Sequence, residues 1–148
     1  MKQLFLAMTV LALAACPQAP DPDLECDESP TARTLATDVQ PIFTAKCALS
    51  GCHDATYATS YGDFTTEQKS AAIVNKKSLY AGKNATLKVI DPNAPANSSM
   101  WLKVLGGRPG GRSGPKGENV LDRMPYEEDP LPDADKKILK DWICTGAK

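Results

Sequence analysis

The stretch CALSGCH at residues 47–53 is the centre from which the rest of this chain can be interpreted. It holds two of the five cysteines, with four residues between them, and the only histidine among the 148 residues. A short helix is predicted just before it, because Asp38 can cap a turn in which Val39, Ile42 and Phe43 share one face. That predicted helix runs straight into the first cysteine.

Two further helices are predicted between this stretch and the later part of the chain. Thr65 and Gln68 have the spacing of a capping box and precede a run of apolar residues, which predicts a second helix. Ser98 or Ser99 can cap a third helix, which is expected to stop at Gly106 and the glycine that follows it.

The last predicted helix has the clearest pattern. Asp133 can cap it, and Gly146 is placed to end it. Its apolar residues recur at helical spacing: Ile138, Leu139, Trp142 and Ile143. Residues 106–119 hold six glycines and two prolines without periodicity, which predicts a loop. Because no convincing pair of strands is found, the expected fold class is all-α, a small domain with long loops.

The beginning of the chain has the features of an exported lipoprotein. Residues 1–15 combine a basic start, a short apolar core and small residues, which is typical of a signal peptide, and the LAA before Cys16 matches a lipobox. Residues 16–35 are too polar to fold alone and are expected to form a flexible tether to a domain at 36–148. Pro17 favours the outer membrane, with the domain in the periplasm or at the cell surface.

The charge balance argues against a nucleic-acid partner. The chain has 17 basic and 18 acidic residues, and loss of the signal peptide removes Lys2, which leaves 16 and 18 and a formal net charge of −2. Nucleic-acid-binding domains carry a basic excess. The expected contact with a membrane is through the lipid on Cys16.

The five cysteines can all be accounted for in an oxidising compartment. Cys16 is assigned to lipid, and Cys47 and Cys52 lie together beside the histidine. Cys26 and Cys144 then remain near the two ends of the domain, and they are predicted to form a disulfide.

The Cys47–His53 stretch has the groups that covalent haem attachment requires. Two thiols reach the two vinyl groups of the porphyrin, and an imidazole beside the second thiol meets the iron. The usual motif has two residues between its cysteines, whereas Cys47 and Cys52 are separated by four, a spacer found in some c-type cytochromes. Two alternatives stay open: a local Cys47–Cys52 disulfide with an incidental His53, or a zinc site completed by Cys144 or an acidic residue.

Four other stretches extend this pattern along the chain. They are Val39–Phe43, Asp91-Pro92 with Ser98–Val104, Arg123-Met124-Pro125, and Trp142-Ile143 with Gly146-Ala147. In this order they resemble the short cytochrome c-like domains of exported bacterial lipoproteins. The resemblance spans about residues 36 to 147 and implies a cytochrome c-like fold.

The resemblance also implies a site and a function. In that family the histidine after the second cysteine and the methionine of a Met-Pro pair ligate the iron, which implies His53 and Met124. One covalent haem c would be held by Cys47 and Cys52. The chain would then be a periplasmic or membrane-anchored monohaem cytochrome that passes single electrons between redox partner proteins. It would not be an enzyme, because no second histidine is available for distal acid–base chemistry.

The alternative from a different class is a haem-free, disulfide-bonded lipoprotein that acts as a binding or structural module. The haem hypothesis predicts an apolar cleft between residues 47–53 and the loop of Met124. Its expected walls are Phe43, Leu102, Leu105, Ile138 and Trp142. Met100 lies on the apolar face of the third predicted helix, where a methionine is expected to fill the core.

Overall fold

The fold is described from a computed structural model. It describes residues 21–56, 62–79, 87–106 and 123–148. The predicted signal peptide, the lipidation of Cys16 and the predicted loop beyond Gly106 lie outside these described residues. Within the described ranges, no helix is long and apolar enough to cross a membrane.

Helices supply most of the regular structure in the described part of the chain. Four α-helices form there: α1 at Gln40–Lys46, α2 at Glu67–Ala71, α3 at Ser99–Val104 and α4 at Asp133–Cys144. A π-helical turn at Leu35–Val39 precedes α1, and a 3-10 turn at Pro95–Asn97 precedes α3. Each α-helix lies in a region where the sequence predicts one.

Isolated β-bridges connect the segments between these helices. They are a parallel bridge between Val74 and Ile90, an antiparallel bridge between Lys77 and Lys88, and a parallel bridge between Lys88 and Ser98. A single bridged residue leaves no period-two pattern in a sequence, so these pairs were not predictable from alternation. The all-α, cytochrome c-like class stays a prediction.

The first helical segment begins earlier than the sequence predicts. Thr34 stands at the cap position, and its Oγ1 accepts a hydrogen bond from the Thr37 amide at 3.3 Å. The Asp38 carboxylate in turn accepts one from the Thr34 amide at 2.9 Å. These two hydrogen bonds resemble those of a capping box, so Asp38 stabilises the start of the helix from a position inside it.

The caps of α3 and α4 also differ in detail from the predictions. Ser98 occupies the cap position of α3, but its hydroxyl accepts a hydrogen bond from the Asp91 amide at 2.9 Å. Pro132 occupies the cap position of α4, and Asp133 is the first helical residue. Gly146 follows this helix with a φ of +96°, a left-handed conformation that favours glycine and ends helices.

The hydrophobic core joins the π-helical turn, α1, α3 and α4. Its largest fully buried apolar side chains are Trp101, Trp142, Phe43, Ile90, Leu139, Ile143 and Val39. Burying a large side chain of this kind contributes about 1.5 to 3 kcal/mol. The packing of α4 against the other helices therefore supplies much of the stability of the domain.

A disulfide joins Cys26 to Cys144, the last residue of α4. This is the pair that the cysteine count predicts. The two Cα atoms lie 5.5 Å apart, within the range that a disulfide needs, and the two residues are 118 positions apart in the sequence. The covalent loop therefore encloses nearly the whole domain.

The residues just before this disulfide are held against the domain by polar contacts. The Trp101 indole N–H donates to the carbonyl oxygen of Asp23 at 2.7 Å. Lys140 on α4 donates from Nζ to the carbonyl oxygen of Pro22 at 2.8 Å. Both acceptors are backbone carbonyls, which every residue carries, so the composition of the segment gives no sign of these contacts.

The boundary between tether and domain consequently differs from the predicted one. The predicted tether covers residues 16–35, yet Pro22 and the residues after it contact α3 and α4. Leu35 at its end is only 5% exposed and belongs to the core. Its amide donates to the carbonyl oxygen of Lys148 at 2.9 Å, which brings the start and the end of the domain together.

Candidate functional site

Residues 47–53 form a closed loop at the end of α1. The helix ends where the Cys47 amide donates to the carbonyl oxygen of Phe43 at 2.9 Å. The loop closes where the His53 amide donates back to the carbonyl oxygen of Cys47 at 3.1 Å. We call this segment the cysteine loop.

The tip of the cysteine loop, residues 49–52, is exposed to solvent. Leu49 within it keeps 41% of its surface exposed. Gly51 has a φ of +83°, which favours glycine, and its amide donates to the Asp54 carboxylate at 3.1 Å. The tip is therefore an ordered turn that presents its side chains outward.

The imidazole of His53 forms the outer end of a series of packed rings. It stacks on Phe64, with ring centroids 4.4 Å apart and planes inclined by 8°. Phe64 stacks on Phe43 at 4.8 Å, and Phe43 meets Trp142 edge to face at 6.2 Å. We call the four rings of His53, Phe64, Phe43 and Trp142 the aromatic ladder. The Nδ1 atom of His53 also lies 3.2 Å from the carbonyl oxygen of Gly62, which can only accept a hydrogen bond.

Polar side chains fix the position of Phe64 in this ladder. Gln40 of α1 donates from Nε2 to the carbonyl oxygen of Phe64 at 2.8 Å. Asp63 accepts from the Thr65 amide at 2.9 Å and is ion-paired with Lys69 of α2. The hydrogen bond from Lys69, followed by that from Thr65, lowers the pKa of the Asp63 carboxyl to about 2.

This lowered pKa predicts an acid-sensitive contribution from Asp63. The ionised carboxylate stabilises the fold above its ordinary pKa of 3.8, and that contribution is lost as the pH falls toward a value of about 2. We therefore expect the Asp63→Asn variant to unfold at lower urea concentration than the unmodified protein at neutral pH. The difference between the two should shrink as the pH is lowered through this window.

Urea unfolding followed by circular dichroism across this pH range measures both quantities. Asp129→Asn is the matched control, since Asp129 is exposed. A constant difference between Asp63→Asn and the unmodified protein at every pH would contradict the assignment of this contribution to the Asp63 carboxylate.

The two thiols of the cysteine loop are free. Cys47 is half-buried, whereas Cys52 is exposed. Burial raises the pKa of the Cys47 thiol to about 12, with a smaller contribution from the neighbouring Cys52. Cys47 is therefore protonated at neutral pH, and the local disulfide considered above is not formed in this structure.

Met124 and Met100, the two methionines compared above, occupy different surroundings. Met124 is half-buried, precedes Pro125 through a cis peptide bond, and donates its amide to the carbonyl oxygen of Lys103 at 2.9 Å. Met100 on α3 packs against the hydrophobic core, as expected for a methionine on that face.

The structure does not gather a metal-binding group around His53. Among the residues described, no group of three or more histidine, cysteine, aspartate or glutamate side chains is placed to hold a metal ion. Cys144, a possible ligand in the zinc alternative, is committed to the disulfide. The prediction of a monohaem electron carrier with iron between His53 and Met124 is therefore wrong. The haem-free, disulfide-bonded alternative is favoured.

Four of the five expected walls of a haem cleft take part in core packing. Phe43 and Trp142 contact each other edge to face and are almost fully buried. Leu105 and Ile138 are partly buried and pack against the core, and Leu102 is half-buried. Apart from Leu102, these apolar residues are therefore explained by packing in or against the hydrophobic core.

Sequence reasoning missed the residues that hold His53 in place. Phe64 and Gly62 lie in a stretch without helical or strand periodicity, and Gln40 falls within the Val39–Phe43 stretch without a role of its own. One sequence signal could have pointed to Phe64: it is an aromatic residue between polar residues, so its ring must pack against a distant part of the chain.

Comparison with family models, with curated proteins and with solved structures finds no match to this chain.

Proposed function

We propose that this chain is an exported, lipid-anchored binding module without haem, in which a disulfide-bonded scaffold presents the cysteine loop to a partner polypeptide. The observation that carries the proposal is the construction of this loop. Its tip is exposed, including the apolar Leu49, while its base rests on the aromatic ladder through His53. Ordered loops on a rigid scaffold are common sites of recognition.

Two further features support a binding role. The Cys26–Cys144 disulfide ties the segment that would lead to the lipid directly to α4. The buried face of α4 packs into the same core as Phe43 and Phe64, so the loop and the anchored end share one scaffold. A preorganised surface of this kind loses less conformational entropy when it binds than a flexible one.

The haem-free part of the proposal is tested by intact mass measurement and absorbance. The mature chain is produced in a bacterial host that has the machinery for attaching haem c. We expect a colourless protein whose mass after reduction of its disulfides, apart from the lipid, is that of the polypeptide alone. A c-type pyridine haemochrome spectrum, with the mass of haem on the peptide that holds Cys47 and Cys52, would overturn the proposal.

The role of the loop tip is tested by site-specific photo-crosslinking in the native cells. A photoreactive residue at position 49 is compared with the same residue at position 79, because Leu79 is also apolar and is 71% exposed. We expect one discrete adduct from position 49, whose formation is reduced by excess unmodified mature chain. No such adduct is expected from position 79. Equal adducts from both positions, or none from position 49, would contradict recognition through the cysteine loop.

A further inference from the structure

The cysteine loop holds two thiols that the proposed binding role does not use. The Cys26–Cys144 bridge engages two of the other cysteines, whereas Cys47 and Cys52 are free. The exported compartment proposed for this chain favours disulfide formation and exchange. Two free thiols in one short loop therefore call for a chemical explanation.

The backbone of the loop brings these two cysteines close together. The amide of His53, which directly follows Cys52, donates to the carbonyl oxygen of Cys47 at 3.1 Å. Since each Cα lies about 2.4 Å from the atom at its end of this hydrogen bond, the two Cα atoms are at most about 8 Å apart. Disulfides need separations somewhat below this upper limit, so the backbone of the loop holds the two cysteines near the distance at which they can be joined.

We propose that Cys47 and Cys52 form a reversible dithiol pair that exchanges with external disulfides, carried either by an exported polypeptide or by a small molecule. This activity goes beyond the proposed binding role. It assigns different tasks to the two cysteines, because their exposures differ.

The exchange proceeds in two balanced steps. The thiolate of Cys52 attacks one sulfur of the substrate disulfide, forms a mixed disulfide, and releases the other substrate sulfur as a thiolate that takes up a proton. Cys47 then loses its proton and attacks the Cys52 sulfur, which forms the Cys47–Cys52 disulfide and releases the second substrate thiol. The pair loses two electrons, and the substrate disulfide gains them. The reverse sequence oxidises a substrate dithiol.

The surroundings of the two thiols set this order of attack. Cys52 is exposed at the loop tip and open to an incoming disulfide, whereas Cys47 is half-buried behind it. Burial holds the pKa of Cys47 at about 12, so little of it is a thiolate at neutral pH, and the first attack is assigned to Cys52. His53 follows Cys52 directly and is fixed on the aromatic ladder, which keeps the base of the loop in place during the exchange.

The test uses the mature chain with its Cys26–Cys144 disulfide intact. The protein is incubated with oxidised glutathione or with an unfolded disulfide-bonded polypeptide, quenched by alkylation, and analysed by peptide mapping and mass. We expect the unmodified protein to close the Cys47–Cys52 disulfide with either probe. The relative rates for the two probes distinguish a small-molecule substrate from a polypeptide substrate.

Two single variants separate the tasks of the cysteines. Cys47→Ser is expected to accumulate the mixed disulfide at Cys52, because the resolving thiol is absent. Cys52→Ser is expected to react at least about tenfold more slowly, because the remaining thiol is rarely ionised and half-buried. Circular dichroism of each variant establishes that the fold is retained.

Three results would overturn the proposal. The first is that the unmodified protein reaches no Cys47–Cys52 disulfide with either probe. The second is that Cys52→Ser, folded by circular dichroism, reacts as fast as the unmodified protein. The third is that both thiols of the purified mature chain are already blocked by a covalent adduct.

Discussion

Replacing Cys26 and Cys144 together by alanine is expected to lower the free energy of unfolding by about 4 to 5 kcal/mol. The disulfide spans 118 positions, and a loop of that length strongly restricts the unfolded chain. Residual structure in the denatured state makes this figure an upper value. A loss of this size is a large part of the stability of a domain with about 130 residues.

Urea unfolding of the double variant and of the unmodified protein, with its Cys26–Cys144 disulfide intact, measures this loss. The chain offers a matched control, since Cys47 and Cys52 can be replaced together without touching the bridge. We expect the control pair to change the unfolding midpoint much less. If both double variants lost the same stability, the disulfide would not be the main covalent support of the fold.

The second large effect is expected from Trp142→Ala, which should cost about 3 to 5 kcal/mol. Trp142 has no exposed surface, and its ring meets the edge or face of Phe43 in the aromatic ladder. Its indole N–H also donates to the carbonyl oxygen of Lys148 at 3.0 Å. The variant therefore loses apolar burial, an aromatic contact and a hydrogen bond together.

Thermal and urea unfolding compare this variant with Trp142→Phe and with Leu79→Ala. Trp142→Phe retains an aromatic ring and should lose less stability than the alanine variant. Leu79 is 71% exposed, so its replacement should change the free energy of unfolding by less than about 0.5 kcal/mol. A Trp142→Ala variant as stable as Leu79→Ala would contradict the central place of this ring in the core.

Local sequence patterns predict the helices of this domain well. The apolar repeat from Ile138 to Ile143 locates α4, because a helix that buries one face must repeat its apolar residues at that spacing. The start of the first helical segment is missed by several residues, because Thr34 and Asp38 are both suitable helix caps. Only the hydrogen bonds in three dimensions show that Thr34 is the cap and that Asp38 lies inside the helix. The docking of Pro22 and Asp23 is missed because it depends on backbone carbonyls.

The candidate site shows a different limit of sequence reasoning. The cysteine count predicts the Cys26–Cys144 bridge, because an oxidising compartment constrains how thiols can be paired. The sequence also singles out Cys47, Cys52 and His53. It does not reveal their chemistry, because the same spacing of two cysteines and a histidine suits either the binding of a cofactor or exchange with external disulfides. The packing of His53 on a ring from a distant segment could be found only in three dimensions.

If the chain is anchored as proposed, the disulfide also determines how the domain responds to a mechanical pull from the membrane. Tension on the proposed lipid anchor can peel away the hydrogen bonds of Pro22 and Asp23, but peeling stops at Cys26. Beyond that point the force passes through a covalent bond to the end of α4, whose buried face is part of the hydrophobic core. The chain between the two cysteines is therefore not unravelled from its tethered end. A partner held at the cysteine loop would be pulled against an intact domain.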